Sequence, residues 1–191
     1  MTELMTTPST TNIGSNGVPM KRPRASRKRE ALVNTAIRLF NGEGYHAVGI
    51  DRILEEAKVS KPTLYAHFKS KDDLIVAALR RRDEDTRIAS YKKMMAHSED
   101  PRERLIFLFD ILGDWVRSPE FNGCLFINAS AEFARHDNPV HMAAAEHKRA
   151  FRNMIAEQAT LAGALRPESL ADRLMLLVDG MIVTCQVTAN Q

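Results

Sequence analysis

Two short apolar runs at helical spacing, separated by only three residues, constrain this chain more than any other feature. The first spans about residues 50–57 and places Ile50, Ile53, Leu54 and Ala57 on one face. Lys58-Val59-Ser60 then turns the chain, and the second run covers about residues 61–68. Ser60 is the predicted N-cap of that run, and Pro62 falls in its first turn, where proline is tolerated. A longer helix precedes the pair: from a cap at Ser26 to about Phe40, Leu32, Val33, Ala36, Ile37, Leu39 and Phe40 repeat at helical spacing. Asn41-Gly42-Glu43-Gly44 stops it. Two short helices joined by a tight turn behind a longer one make a helix-turn-helix.

In that arrangement the second short helix offers its N-terminal residues to base edges and its flanks to phosphates. Here it presents Lys61, Thr63, Tyr65, His67, Lys69 and Lys71 beside buried Leu64 and Phe68. Hydroxyls, amines and an aromatic tip suit a contact made mostly with phosphate. Periodicity alone leaves the matter open, since many small helical domains share it.

Charge points the same way. Residues 1–93 carry 18 Lys/Arg against 11 Asp/Glu, and residues 94–191 carry 9 against 13, so a basic front half adjoins an acidic rear half. Six of the nine positions from Lys21 to Arg29 are Lys or Arg, which reads as an arm along phosphates or as a solubilising tail. Residues 1–20, rich in Thr, Ser, Asn and Gly, show no apolar period, so residues 1–25 read as a disordered basic leader.

The rest also reads as helix, giving an all-α chain with no strand and no internal repeat. Ser70 caps a fourth helix to about Met95, with Asp72 and Asp73 complementing its dipole. Asp100-Pro101 opens a fifth, which Ser118-Pro119 ends, and a sixth spans about Gly123–Arg135. Asn138-Pro139 starts a long seventh helix to about Leu161, Gly163 stops it, and Pro167 starts the last, to about Val187. No apolar run reaches the length of about 18 residues that a membrane span needs. No signal peptide stands at the N-terminus, and two cysteines form neither a disulfide framework nor a zinc site, so a reducing cytoplasm is the expected compartment, on the nucleoid.

Tyr45 to Leu74, above all Val59-Ser60-Lys61-Pro62-Thr63-Leu64-Tyr65-Ala66-His67-Phe68-Lys69-Ser70-Lys71, resembles the DNA-binding segment of the TetR/AcrR repressor family. The match extends back through Ala36, Leu39, Phe40 and Gly44 and covers roughly residues 27–75. The resemblance implies a three-helix head over residues 26–70 and a larger helical ligand-binding and dimerisation body over residues 71–191. It implies a sequence-specific regulator that binds palindromic double-stranded DNA as a homodimer and is released by a small-molecule effector. Tyr65 and Lys71, with His67, would touch phosphates. Ser60 opens the recognition helix, and Lys61 and Thr63 would lie nearest the bases. Two positions depart from the family pattern: Lys58 replaces the usual turn glycine, and Val48-Gly49 stands where Ser or Thr often caps the second helix.

In the body, Leu170, Leu174, Met175, Leu177, Val178, Met181, Ile182, Val183 and Cys185 make the last helix apolar almost all round. Such a helix must be covered on two sides, which predicts a homodimer through the last two helices. Phe107, Trp115, Phe126, Phe133 and Met154, with Phe121 and Met94, are candidates to line a ligand cavity, against the plainer reading of ordinary core. Cys124 at a helix start is a possible thiol sensor or a small buried hydrophobe. His136, His141 and His147 lack metal-pair spacing, so neither metal nor cofactor is expected. No nucleophile–base pair, phosphate loop or paired-carboxylate motif suggests an enzyme. The competing readings are a non-specific architectural DNA-binding protein and a helical carrier or enzyme with an incidental basic head.

Overall fold

The computed structural model describes residues 24–188, so residues 1–23 of the expected leader lie outside the described residues. Eight helices follow one another: α1 (Arg24–Glu43), α2 (Ile50–Ala57), α3 (Lys61–Tyr65), α4 (Lys71–His97), α5 (Pro101–Val116), α6 (Leu125–Glu132), α7 (Pro139–Leu161) and α8 (Pro167–Val187). Among the described residues there is no strand.

Local chemistry accounts for most boundaries. Ser70 Oγ accepts the N–H of Asp73, and the Asp73 carboxylate accepts the N–H of Lys69, a reciprocal lock on the start of α4. Asp100 and Asn138 accept the N–H groups of Arg102 and Val140 at the starts of α5 and α7, with proline next in each helix. Gly163 ends α7 at φ +75°.

Three helices differ in their bounds from the expected ones. α1 begins at Arg24, not after a cap at Ser26, and runs on to Glu43, because the left-handed stop is Gly44 at φ +86°, not Gly42. α3 ends at Tyr65, and the N–H groups of His67 and Phe68 both turn back to the Leu64 carbonyl. α6 is shorter at both ends: Gly123 at φ +80° and extended Cys124 delay its start to Leu125, and Phe133 leaves the helix.

The head forms where α1 packs on α2, α3 and α4. Leu32, Val33, Ala36, Phe40, Ile53, Leu64 and Phe68 are buried there. α4 carries this core into the body by burying Leu74, Ile75, Ala78 and Leu79. In the body α7 lies centrally, packed against α4, α5, α6 and α8. The buried apolar residues form one continuous cluster from head to body.

Candidate nucleic-acid interface and body cavity

α3 is held with Leu64 wholly inside the head and Tyr65 47% exposed. Lys61 is exposed and pairs with Asp51 across the turn at 3.2 Å. Ser60 stands at the N-cap, yet its hydroxyl pairs with the Thr63 hydroxyl at 2.9 Å instead of taking a backbone N–H as a cap would. His67 is half-buried, its ring edge-on to Phe68. Ser60, Lys61, Thr63, Tyr65 and His67 therefore share one short helix and its flanks. Arg29 of α1 lies over the Phe68 ring at 5.2 Å, tying the basic start of α1 to the end of this segment.

Lys71 stands apart. Its Nζ donates to the Tyr45 carbonyl at 2.6 Å, so part of this side chain braces the α1–α2 loop. Burial pushes its pKa below the ordinary lysine value, against the opposing pull of the Glu132 and Asp72 carboxylates.

The same loop receives a body residue that its sequence surroundings gave no reason to single out. Glu132, at the end of α6, accepts the backbone N–H groups of Tyr45 at 2.8 Å and His46 at 2.7 Å, and pairs with His46 Nδ1 at 2.7 Å. Tyr45 is fully buried, and its hydroxyl donates to the Leu125 carbonyl at the start of α6. Both ends of α6 are thus bonded to the head. Burial pushes the Glu132 carboxyl up, but the N–H donors of Tyr45 and His46 outweigh it and hold the group below the usual carboxylate range. Burial likewise raises the Tyr45 phenol, helped by the charge of Glu132 and the nearby Cys124.

A cavity of about 190 Å³ opens in the body between α4, α5, α6, α7 and α8. Of the expected lining residues, Trp115 and Phe126 are on its wall, together with Cys124, which is buried. Phe107, Phe133 and Met154 are not. Phe107 lies two helical turns before Trp115, about 12 Å along α5, and stacks on His97 at 3.7 Å. Phe133, released where α6 ends, stacks on His46 at 4.8 Å and meets Tyr45 edge-on. Met154 is ordinary buried core, as is Met94, while Phe121 supports Trp115 edge-on. His147 also lines the cavity: its ring stacks on Phe126 and its Nδ1 pairs with Asp83 at 2.7 Å. His136 and His141 pair with each other at 3.0 Å. Among the described residues no three His, Cys, Asp or Glu side chains form a metal-binding group. No helix there is long and apolar enough to cross a membrane.

A turn-linked pair of short helices with an exposed, cation-flanked second member, mounted on a larger helical body, defines a helix-turn-helix DNA-binding regulator. A family model described as "Bacterial regulatory proteins, tetR family" matches residues 32–78, and one described as "Tetracyclin repressor-like, C-terminal domain" matches residues 101–191. The chain belongs to the TetR family of transcriptional regulators. A solved TetR-family regulator from Streptomyces coelicolor is 36% identical, with 85% of each chain covered and a TM-score of 0.79. The transcriptional activator FasR of Mycolicibacterium smegmatis is 35% identical over 103 residues, 54% of this chain but only 46% of that protein. The regulator YjdC of Escherichia coli is 21% identical over 86% of each chain.

Proposed function

We propose that this regulator binds a palindromic operator as a homodimer, with residues 26–70 as the DNA-binding head and residues 71–191 as the effector-binding and dimerisation body. A small molecule in the body cavity releases it from DNA. The observation that carries this reading is that α6 and the capping Cys124 before it supply cavity wall at Cys124–Phe126, while α6 bonds the head loop through Leu125 and Glu132. A ligand that fits the cavity in one α6 position better than in another thereby biases the head. In the proposed dimer the contact centres on the apolar residues that α8 leaves exposed, Leu176, Leu177, Val183 and Val187, and two recognition helices sit in successive major grooves, about 34–36 Å apart. Repression fits an operator that overlaps a promoter. The same protein activates where the operator lies upstream.

The test is selection from a genomic or randomised DNA pool at about 150 mM salt, since affinity depends steeply on salt. Recovery of one palindrome, weakened by Tyr65→Ala or Lys61→Ala, supports the reading. Tight binding with no recovered motif favours a non-specific architectural protein instead. Absence of DNA binding overturns both.

A further inference from the structure

We propose that the body cavity takes a small organic anion, a carboxylate carried on a single apolar ring, with Arg82 of α4 as its anchor. The assignment deepens the effector reading above and rests on it for its biological role. The size of the cavity sets the size of the guest. An apolar protein cavity of about 150 Å³ holds benzene, so about 190 Å³ admits one ring and a carboxyl group. Trp115, Phe126, Phe151, Ile111 and Ile182 give the ring flat and branched apolar walls.

α4 determines the charge. Before the cavity it fills the core with Leu74, Ile75, Ala78 and Leu79, and after it with Met94. Between these, Arg82, Thr86, Ala89, Ser90 and Lys93 line the cavity, at the spacing of one helix face. Small side chains there leave room, and a cation stands at each end. None of the residues lining the cavity is acidic. Lys148 is already neutralised by Asp179 at 2.5 Å, and His147 is tied to Asp83. Arg82 and Lys93 pair with no carboxylate among the described residues. An apolar cleft with unbalanced positive charge at its edge attracts anions and rejects cations. The two cations lie about 16 Å apart along the helix, too far to grip one carboxylate together. Arg82 is half-buried and offers the planar fork that matches a carboxylate, whereas Lys93 is exposed and steers the approach.

Trp115 is the chain's single tryptophan, so its fluorescence reports the cavity. The full-length protein is titrated at about 150 mM salt with benzoate, benzamide and benzylamine. Benzoate is expected to give a saturable change, with the neutral amide weaker by about tenfold or more and the cationic amine weaker still. Arg82→Gln should cost benzoate about tenfold and erase its advantage over benzamide, and Arg82→Lys should fall between. Circular dichroism and thermal midpoints of both variants confirm that they are folded. Lack of saturable benzoate binding, equal binding of the three compounds, or an Arg82→Gln variant of unchanged selectivity overturns the assignment. If a palindrome is recovered but benzoate fails to bind, this inference falls while the DNA-binding reading stands. If benzoate binds selectively but leaves DNA binding unchanged, the anion site stands and release by it does not.

Discussion

Lys58 joins α2 to the turn at φ 53°, ψ 45°, and its N–H bonds the Glu55 carbonyl. This is the left-handed position at which most helices of this kind place glycine, and a side chain there costs roughly 1–2 kcal/mol. Part of the gain on replacing it is lost again to the greater freedom of glycine in the unfolded chain. Lys58→Gly is therefore expected to stabilise by about 0.5–1 kcal/mol, read as a higher urea midpoint. An unchanged or lower midpoint would show that the lysine is at ease in this turn. His147 yields a second prediction. Burial pushes its pKa below the usual histidine value, although Asp83 pulls the other way. The unfolded chain, with its ordinary pKa near 6.5, takes up the proton first. Stability from the neutral ring is thus fully present above that pH and lost as pH falls below it. His147→Gln, neutral throughout, should flatten this part of the urea-midpoint profile between about pH 7 and 5. A variant profile as steep as that of the native protein would assign the loss to other groups.

Among the elements, α6 has the least sequence signal and the most consequential position. Its length of eight residues gives it little helical stability of its own, and it is held by what its ends touch. Glu132 is the stronger of those attachments. Truncation as Glu132→Ala leaves the Tyr45 and His46 N–H groups without a partner, at a cost of about 1–3 kcal/mol. Hydrogen exchange at these two amides should rise well beyond that of neighbouring α2 amides, and equal protection in both proteins would discount the clamp. Acid should act like the mutation. The Glu132 carboxyl is held below its ordinary pKa, so its contribution is complete above about pH 4.5 and fades as pH falls through the lowered value. Much of the fold was legible beforehand at this scale. Apolar spacing and capping residues located α2, α4, α5, α7 and α8, because those signals are local. Ring placement was not legible. Phe107, Phe126 and Phe133 are alike in sequence, and only long-range packing sends one to His97, one to the cavity and one under the head loop. Glu132 was missed for the same reason: its partners lie 86 and 87 positions away.

For the whole molecule, α8 has two apolar sides. Ala171, Val178 and Ile182 face the body core, whereas Leu176, Leu177, Val183 and Val187 are exposed, Leu176 at 75%. Adding Gly180, where a methyl group would meet open space, completes a stripe at positions 176, 180, 183 and 187. The exposed positions of α7, including Glu146, Arg149, Asn153 and Glu157, are mostly polar, which puts the weight of the proposed dimer on α8. Charges on the stripe should break it: Leu176→Glu with Val183→Glu is expected to convert a dimer to a monomer in sedimentation velocity at micromolar concentration. The paired loss of operator affinity should exceed about a hundredfold, because one half-site then binds alone. A double variant that remains dimeric would place the interface elsewhere.

The bonds at Glu132 also bear on how such proteins are recombined. Heads and bodies invite exchange as independent cassettes, yet this head does not satisfy its own backbone. The loop between α1 and α2 takes the acceptor for two consecutive amides from a helix almost ninety positions downstream. Gly44 is fitted to that visitor as well, since a methyl group there would come within 3.0 Å of the carboxylate. A chimera that joined residues 24–70 to a foreign body would therefore need a carboxylate delivered to the same spot, or it would inherit an operator reader with an unfinished loop.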